Sequence, residues 1–128
     1  MRLRVAAVLL ALALAPAATA APPFKAVLKA GTDTPTVNVK WWYSIRVTDL
    51  KGKPIRATVT AEILDPFGGV HPVQFGTSKK NIVNRPFTGT FRDFIKFTPD
   101  SRGFTLTLRW TVKAKGGRVV LKYKVTPR

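Results

Sequence analysis

The stretch Phe104-Thr105-Leu106-Thr107-Leu108-Arg109-Trp110-Thr111-Val112-Lys113-Ala114-Lys115-Gly116-Gly117-Arg118-Val119-Val120-Leu121-Lys122-Tyr123-Lys124-Val125-Thr126 decides the fold. Phe104, Leu106, Leu108, Trp110 and Val112 alternate with Thr105, Thr107, Arg109, Thr111 and Lys113. Past the glycines, Val119, Leu121, Tyr123 and Val125 alternate with Val120, Lys122, Lys124 and Thr126. A period of two sends alternate side chains to opposite faces, so both segments read as strands with one dry face and one wet face. Gly116-Gly117 tolerates positive φ at both positions and reads as the two-residue turn of an antiparallel hairpin. In that register Trp110 meets Tyr123 and Val112 meets Leu121 on the dry face. On the wet face Lys115 pairs with Arg118, Lys113 with Val120, Thr111 with Lys122, and Arg109 with Lys124.

The same alternation recurs upstream. Trp41, Tyr43, Ile45 and Val47 interleave with Trp42, Ser44, Arg46 and Thr48. Ile55, Ala57, Val59, Ala61 and Ile63 interleave with Arg56, Thr58, Thr60 and Glu62. β-Branched and aromatic residues dominate these segments, as strands prefer. Weaker strands are expected at Phe24–Lys29 and Thr36–Lys40, and at Val70–Phe75, which Pro72 confines to an edge. Phe87–Phe97 reads as one strand with a bulge, because Phe94 falls on the face opposite Phe91, Ile95 and Phe97. No window of the region after residue 20 repeats near 3.6. About seven short antiparallel strands at regular spacing imply an all-β chain, an immunoglobulin-like antiparallel β-sandwich; a small closed barrel is the alternative.

Val47-Thr48-Asp49-Leu50-Lys51-Gly52-Lys53-Pro54-Ile55, followed by Ala57-Thr58-Val59, resembles the strand–turn–strand of bacterial Ig-like domains. Gly117-Arg118-Val119-Val120-Leu121-Lys122-Tyr123 through Val125-Thr126 resembles their last strand. The resemblance covers about a quarter of the region after residue 20. It implies a binding, adhesive or spacer role and no catalysis.

Residues 1–20 have the three-part pattern of a secretory signal peptide: Arg2 and Arg4, an apolar run from Val5 to Ala15, then Pro16 and the small residues Ala18-Thr19-Ala20. Cleavage is expected after Ala20, leaving residues 21–128 as one domain in the secreted space or cell envelope. The apolar run is shorter than the roughly 20 residues a membrane-spanning helix needs. The chain contains no cysteine, which excludes a disulfide framework, a thiolate metal site and a cysteine nucleophile. A cysteine-free domain behind an alanine-rich leader points to a bacterial exported protein.

Charge carries the functional signal. Lys and Arg number 22 against 6 Asp and Glu, and such an imbalance favours encounters with polyanions. The hairpin concentrates it: Arg109, Lys113, Lys115, Arg118, Lys122 and Lys124 fall on one wet face as a basic stripe. Like charges placed opposite one another destabilise a sheet, so the stripe reads as a surface for an anionic polymer or an acidic protein. The alternative is a solvated face that shields an edge from aggregation. Trp42 and Phe94, outward-facing beside Arg46, Arg56, Arg92 and Lys96, are candidate stacking platforms unless the first segment or the long 65–86 connection covers them. That connection carries Phe67 and His71, further candidate contacts.

Catalysis is poorly supplied. His71 is the only histidine, and one histidine without cysteine does not make a usual transition-metal site. Asp49 and Asp65 sit where Asp shapes turns by bonding its own backbone. Ser44, Ser78 and Ser101 lack the glycine-flanked setting of a hydrolase nucleophile. No cofactor, no metal and no dedicated nucleic-acid motif is expected. The expected function is non-enzymatic polyanion binding; the alternative is a structural Ig-like domain with a protein partner, met by edge-strand pairing.

Overall fold

The computed structural model describes residues 21–128; the signal-peptide reading falls on residues 1–20, outside the described residues. In chain order the strands are β1 (Phe24–Ala30), β2 (Trp41–Asp49), β3 (Arg56–Leu64), β4 (Val70–Pro72), β5 (Arg85–Thr88), β6 (Thr90–Ile95), β7 (Leu106–Ala114) and β8 (Gly117–Val125), with a 3₁₀ turn at Pro99–Ser101. Strands β1-β2-β6 form a three-stranded sheet. Strands β4-β3-β7-β8 form the second sheet, with β5 also paired to β3. All pairings are antiparallel. The two sheets pack as a sandwich and do not close into the alternative barrel.

The inward side chains are those the period of two selects. Tyr43, Ile45 and Val47 from β2 meet Val59 from β3 and Leu108, Trp110 and Val112 from β7 in one core. At its centre the rings of Tyr43 and Trp110 lie 4.8 Å apart. Trp41 closes one end: its indole NH donates to the Thr32 carbonyl at 2.8 Å, and its ring lies 5.9 Å from that of Tyr123.

Four sequence expectations change. First, the hairpin turn is Lys115-Gly116, with φ of 47° and 72°, so Ala114 faces Gly117 and the whole ladder shifts. Trp110 meets Leu121, Leu108 meets Tyr123 and Val112 meets Val119. The faces survive because the shift is even. Gly117 is needed for a different reason: a Cβ there would lie 2.6 Å from Pro23, which packs against it. Second, Phe87–Phe97 is not one strand. At Gly89 (φ 75°) the chain leaves the larger sheet as β5 and enters the smaller as β6. Third, Thr36–Lys40 forms no strand. Val37 and Asn38 instead donate to the carbonyls of Arg128 and Phe97, both at 2.9 Å. Fourth, Phe104 lies outside the core and sets its ring edge-on to Phe67, 5.8 Å away. Strand β7 begins only at Leu106.

The core contains a local flaw. The Tyr43 hydroxyl and the Trp110 Nε1–H are buried with no hydrogen-bond partner. Burial pushes the Tyr43 phenol well above its ordinary value; the nearby Trp110 indole opposes this without reaching hydrogen-bond geometry, and the Asp93 charge adds to the rise. A buried hydroxyl without a partner costs about 1–3 kcal/mol. Tyr43→Phe removes it while keeping the ring, so urea unfolding should show unchanged stability or a gain of about 1 kcal/mol. A loss of that size would show that the hydroxyl is bonded.

Candidate polyanion-binding faces

The outer face of the five-stranded sheet is built by the even shift of the hairpin. Register places Thr58, Lys113 and Arg118 in one row across β3, β7 and β8. It places Glu62, Arg109 and Lys122 in another, and Thr107 beside Lys124. The like-charge neighbours are therefore Lys113 with Arg118 and Arg109 with Lys122, not the pairs expected from a Gly116-Gly117 turn. Lys113, Arg118, Lys122 and Lys124 are exposed. Arg109 differs: its Nη2 and Nε donate to Glu62 Oε1 at 2.9 and 3.2 Å. That bond relieves the repulsion between Arg109 and Lys122 and removes Arg109 from the free cations. Lys115 occupies the turn itself, where its charge acts on Asp49. The stripe thus reduces to four free cations, Lys113, Arg118, Lys122 and Lys124, flanked by one ion pair and a turn lysine.

The aromatic pair on the other sheet is half available. Trp42 and Phe94 face each other across β2 and β6, with ring centroids 5.0 Å apart. Trp42 is 42% exposed but Phe94 only 5%. The 65–86 connection covers Phe94: a Cβ at Gly76 would lie 2.6 Å from its ring. The Gly76 amide is held there by Asp93, donating to its carboxylate oxygens at 3.1 and 3.2 Å. Phe94 is therefore a covered core-edge residue and not a ligand platform. Cations do cluster at the pair, with Arg92 4.3 Å from the Trp42 centroid and Lys40 4.9 Å from that of Phe94. Lys25 and Lys29 share this outer face and lie outside the site residues expected from the sequence. Their signal was present in the alternation of β1, whose wet positions are Lys25, Val27 and Lys29.

Phe67 and His71 lie elsewhere, at one mouth of the sandwich. A cavity of about 510 Å³ opens there between the sheets, lined by Ile63, Phe67, His71, Phe97, Phe104 and Leu106 among others. Phe67 is 82% exposed. His71 Nε2 lies 2.7 Å from Asp65 Oδ2, while Asp65 Oδ1 accepts from the Phe67 and Gly69 amides at 2.8 and 2.9 Å. Asp65 thus shapes its turn as expected and ties His71 to it. None of the basic-stripe residues lines this cavity. Among the described residues, no three His, Asp or Glu side chains converge as metal ligands.

Asp49 shapes the β2–β3 turn in the same way, accepting from the Lys51 and Lys53 amides at 2.9 Å each. The Lys53 amide chiefly holds its carboxyl below the usual range, helped by the Lys51 amide and the Lys115 charge against a partial desolvation. The His71 hydrogen bond, then the Gly69 and Phe67 amides, do the same for Asp65. A carboxyl depressed in the native state contributes stability above its unfolded value, near 3.9, and loses it as pH falls through the native value. Unfolding midpoints measured from pH 7 to pH 2 should therefore fall in the acid window below about pH 4. Asp49→Asn/Asp65→Asn should show a shallower fall over that window, and an unchanged slope would contradict these roles.

No family model matches the chain, and no curated protein matches it. Among solved structures it is similar to a DUF4426 family protein from Pseudomonas aeruginosa PAO1, at 18% identity over 86% of this chain and 96% of that one, with a TM-score of 0.48. It is also similar to a DUF4466 family protein from Parabacteroides merdae ATCC 43184, at 16% identity over 85% of this chain and 45% of that one, with a TM-score of 0.44. The chain spans less than half the length of the second. Identities this low carry no residue role across.

Proposed function

We propose that this protein is an exported, non-enzymatic Ig-like binding module of the bacterial envelope or exterior, with a basic sheet face suited to polyanions. The single observation that carries the reading is the β7–β8 ladder. It holds Lys113, Arg118, Lys122 and Lys124 on one outward face, with Arg109 beside them neutralised by Glu62. Four free cations on a rigid sheet match a linear anion by spacing: residues two apart on a strand lie about 6.6 Å apart, and adjacent strands about 4.8 Å. The Ig-like part of the reading is supported by strand order, since β1-β2-β6 facing β3-β7-β8 parallels the division of such domains into two antiparallel sheets. Export is supported by the leader pattern of residues 1–20.

Binding through such a face releases counterions and weakens with salt. Retention of the purified protein on isolated bacterial envelopes should fall about 10²-fold between 50 and 200 mM salt, the scale expected for four phosphate-type contacts. Lys113→Gln/Arg118→Gln/Lys122→Gln/Lys124→Gln should lower the retention at low salt and make its decline with salt shallower. Retention indifferent to both salt and these substitutions would contradict the polyanion reading and favour a protein partner.

A further inference from the structure

The opposite side of the sandwich carries a second set of cations that the hairpin face does not include. The outer face of the three-stranded sheet presents Lys25, Lys29, Arg46 and Arg92, and its rows contain no carboxylate. Register aligns Lys29, Ser44 and Arg92 in one row across β1, β2 and β6, and Val27, Arg46 and Thr90 in the next. A shallow groove of about 450 Å³ runs over these rows, lined by Lys25, Lys29, Ser44, Arg46 and Thr90 among others, and Arg92 lines the adjoining depression with Trp42 and the same Thr90. Adjacent strands lie about 4.8 Å apart. Ser44 therefore lies between two cation-bearing strands, with Lys29 on one side and Arg92 on the other.

Arg92 is the distinctive member. Its guanidinium lies over the Trp42 ring, 4.3 Å from the centroid. A guanidinium held against a ring face can still donate in its own plane, bidentately, to an oxyanion. The ion pairs among the described residues are His71–Asp65 and Arg109–Glu62, so Arg92 is stacked without a carboxylate partner. Arg46 is similarly placed, with only a long contact of 3.4 Å from its Nη1 to the Thr90 hydroxyl. Arg109 on the hairpin face has its oxyanion inside the protein, whereas Arg46 and Arg92 on this face have no carboxylate partner among the described residues.

We propose that the outer face of the three-stranded sheet is a second oxyanion-binding site, centred on Arg92 and completed by Lys29, Ser44 and Arg46, which takes a phosphate or sulfate group of a linear polyanion. The inference rests on the polyanion reading for the polymer, but it uses none of the hairpin residues. The two faces lie on opposite sides of the sandwich, so substitutions on one leave the other intact.

Trp42 supplies a local reporter, because Trp41 and Trp110 are 4% and 1% exposed. The purified protein is titrated at low salt with short-chain inorganic polyphosphate in one arm and a sulfated oligosaccharide in the other, while tryptophan emission is followed. A saturable emission change is expected, and the arm with the lower midpoint identifies the preferred group. Arg92→Lys keeps the charge but loses the planar fork, and should weaken the midpoint about tenfold. Trp42→Phe should abolish the emission change while labelled polyphosphate still binds by anisotropy. The Lys113→Gln/Arg118→Gln/Lys122→Gln/Lys124→Gln variant should keep the emission change, even if envelope retention proves independent of those residues. No emission change in either arm, wild-type affinity in Arg92→Lys, or loss of the change in the hairpin variant would each overturn the proposal.

Discussion

The structure depends on the contact between Tyr43 and Trp110 across the middle of the sandwich. Each ring belongs to a central strand of its own sheet, β2 in one and β7 in the other. Their interlock fixes how the sheets face each other. Around it the neighbouring inward residues Ile45, Val47, Val59 and Val112 are fully enclosed. Once these positions point inward, the pleat dictates that Trp42, Ser44 and Arg46 point outward on one side, and Arg109, Thr111 and Lys113 on the other. Both cationic faces are therefore consequences of the core. The burial of two polar atoms without partners is the cost of placing large amphipathic rings where only their carbon surface is used.

The net charge becomes two basic faces because of where the carboxylates are spent structurally. Asp49 and Asp65 are bound into turns by backbone amides. Asp93 is turned inward and holds Gly76, and through it the cover over Phe94. Asp100 accepts from Thr98 beside the 3₁₀ turn. Glu62 lies on an outer sheet face and is matched there to Arg109. With these five acids engaged in this way, the outward lysines and arginines of both sheets, Arg109 excepted, have no ion-pair partner among the described residues. Long aliphatic stems let them splay apart, which limits the repulsion.

Much of this was legible in the sequence, because a period of two is a direct readout of strand faces. The core residues of β2, β3, β7 and β8 and the outward cations of the hairpin follow from alternation alone. The turn did not. Gly116-Gly117 is the better local candidate for two positive φ values, and Lys115 is a poor one. The ladder nevertheless closes at Lys115-Gly116, because the pairing of Val112 with Val119 and the approach of Pro23 to Gly117 are tertiary demands. The sheet switch at Gly89 was hidden for a similar reason: Phe87 and Phe91 both look inward, yet they serve different sheets. The Glu62–Arg109 pair and the stacking of Arg92 on Trp42 join strands far apart in the chain. No local spacing announces them.

If the outward cations of the two sheets are binding surfaces rather than solvated faces, a polyanion must perturb both sheets. Backbone amide shifts of the isotopically labelled protein, followed during titration with inorganic polyphosphate at low salt, test it most directly. Two separate clusters of perturbed amides are expected, one along β7 and β8 around Lys113 and Lys122, the other at Lys29, Ser44 and Arg92. Perturbations confined to the mouth around Phe67 and His71, or no perturbations at all, would contradict it.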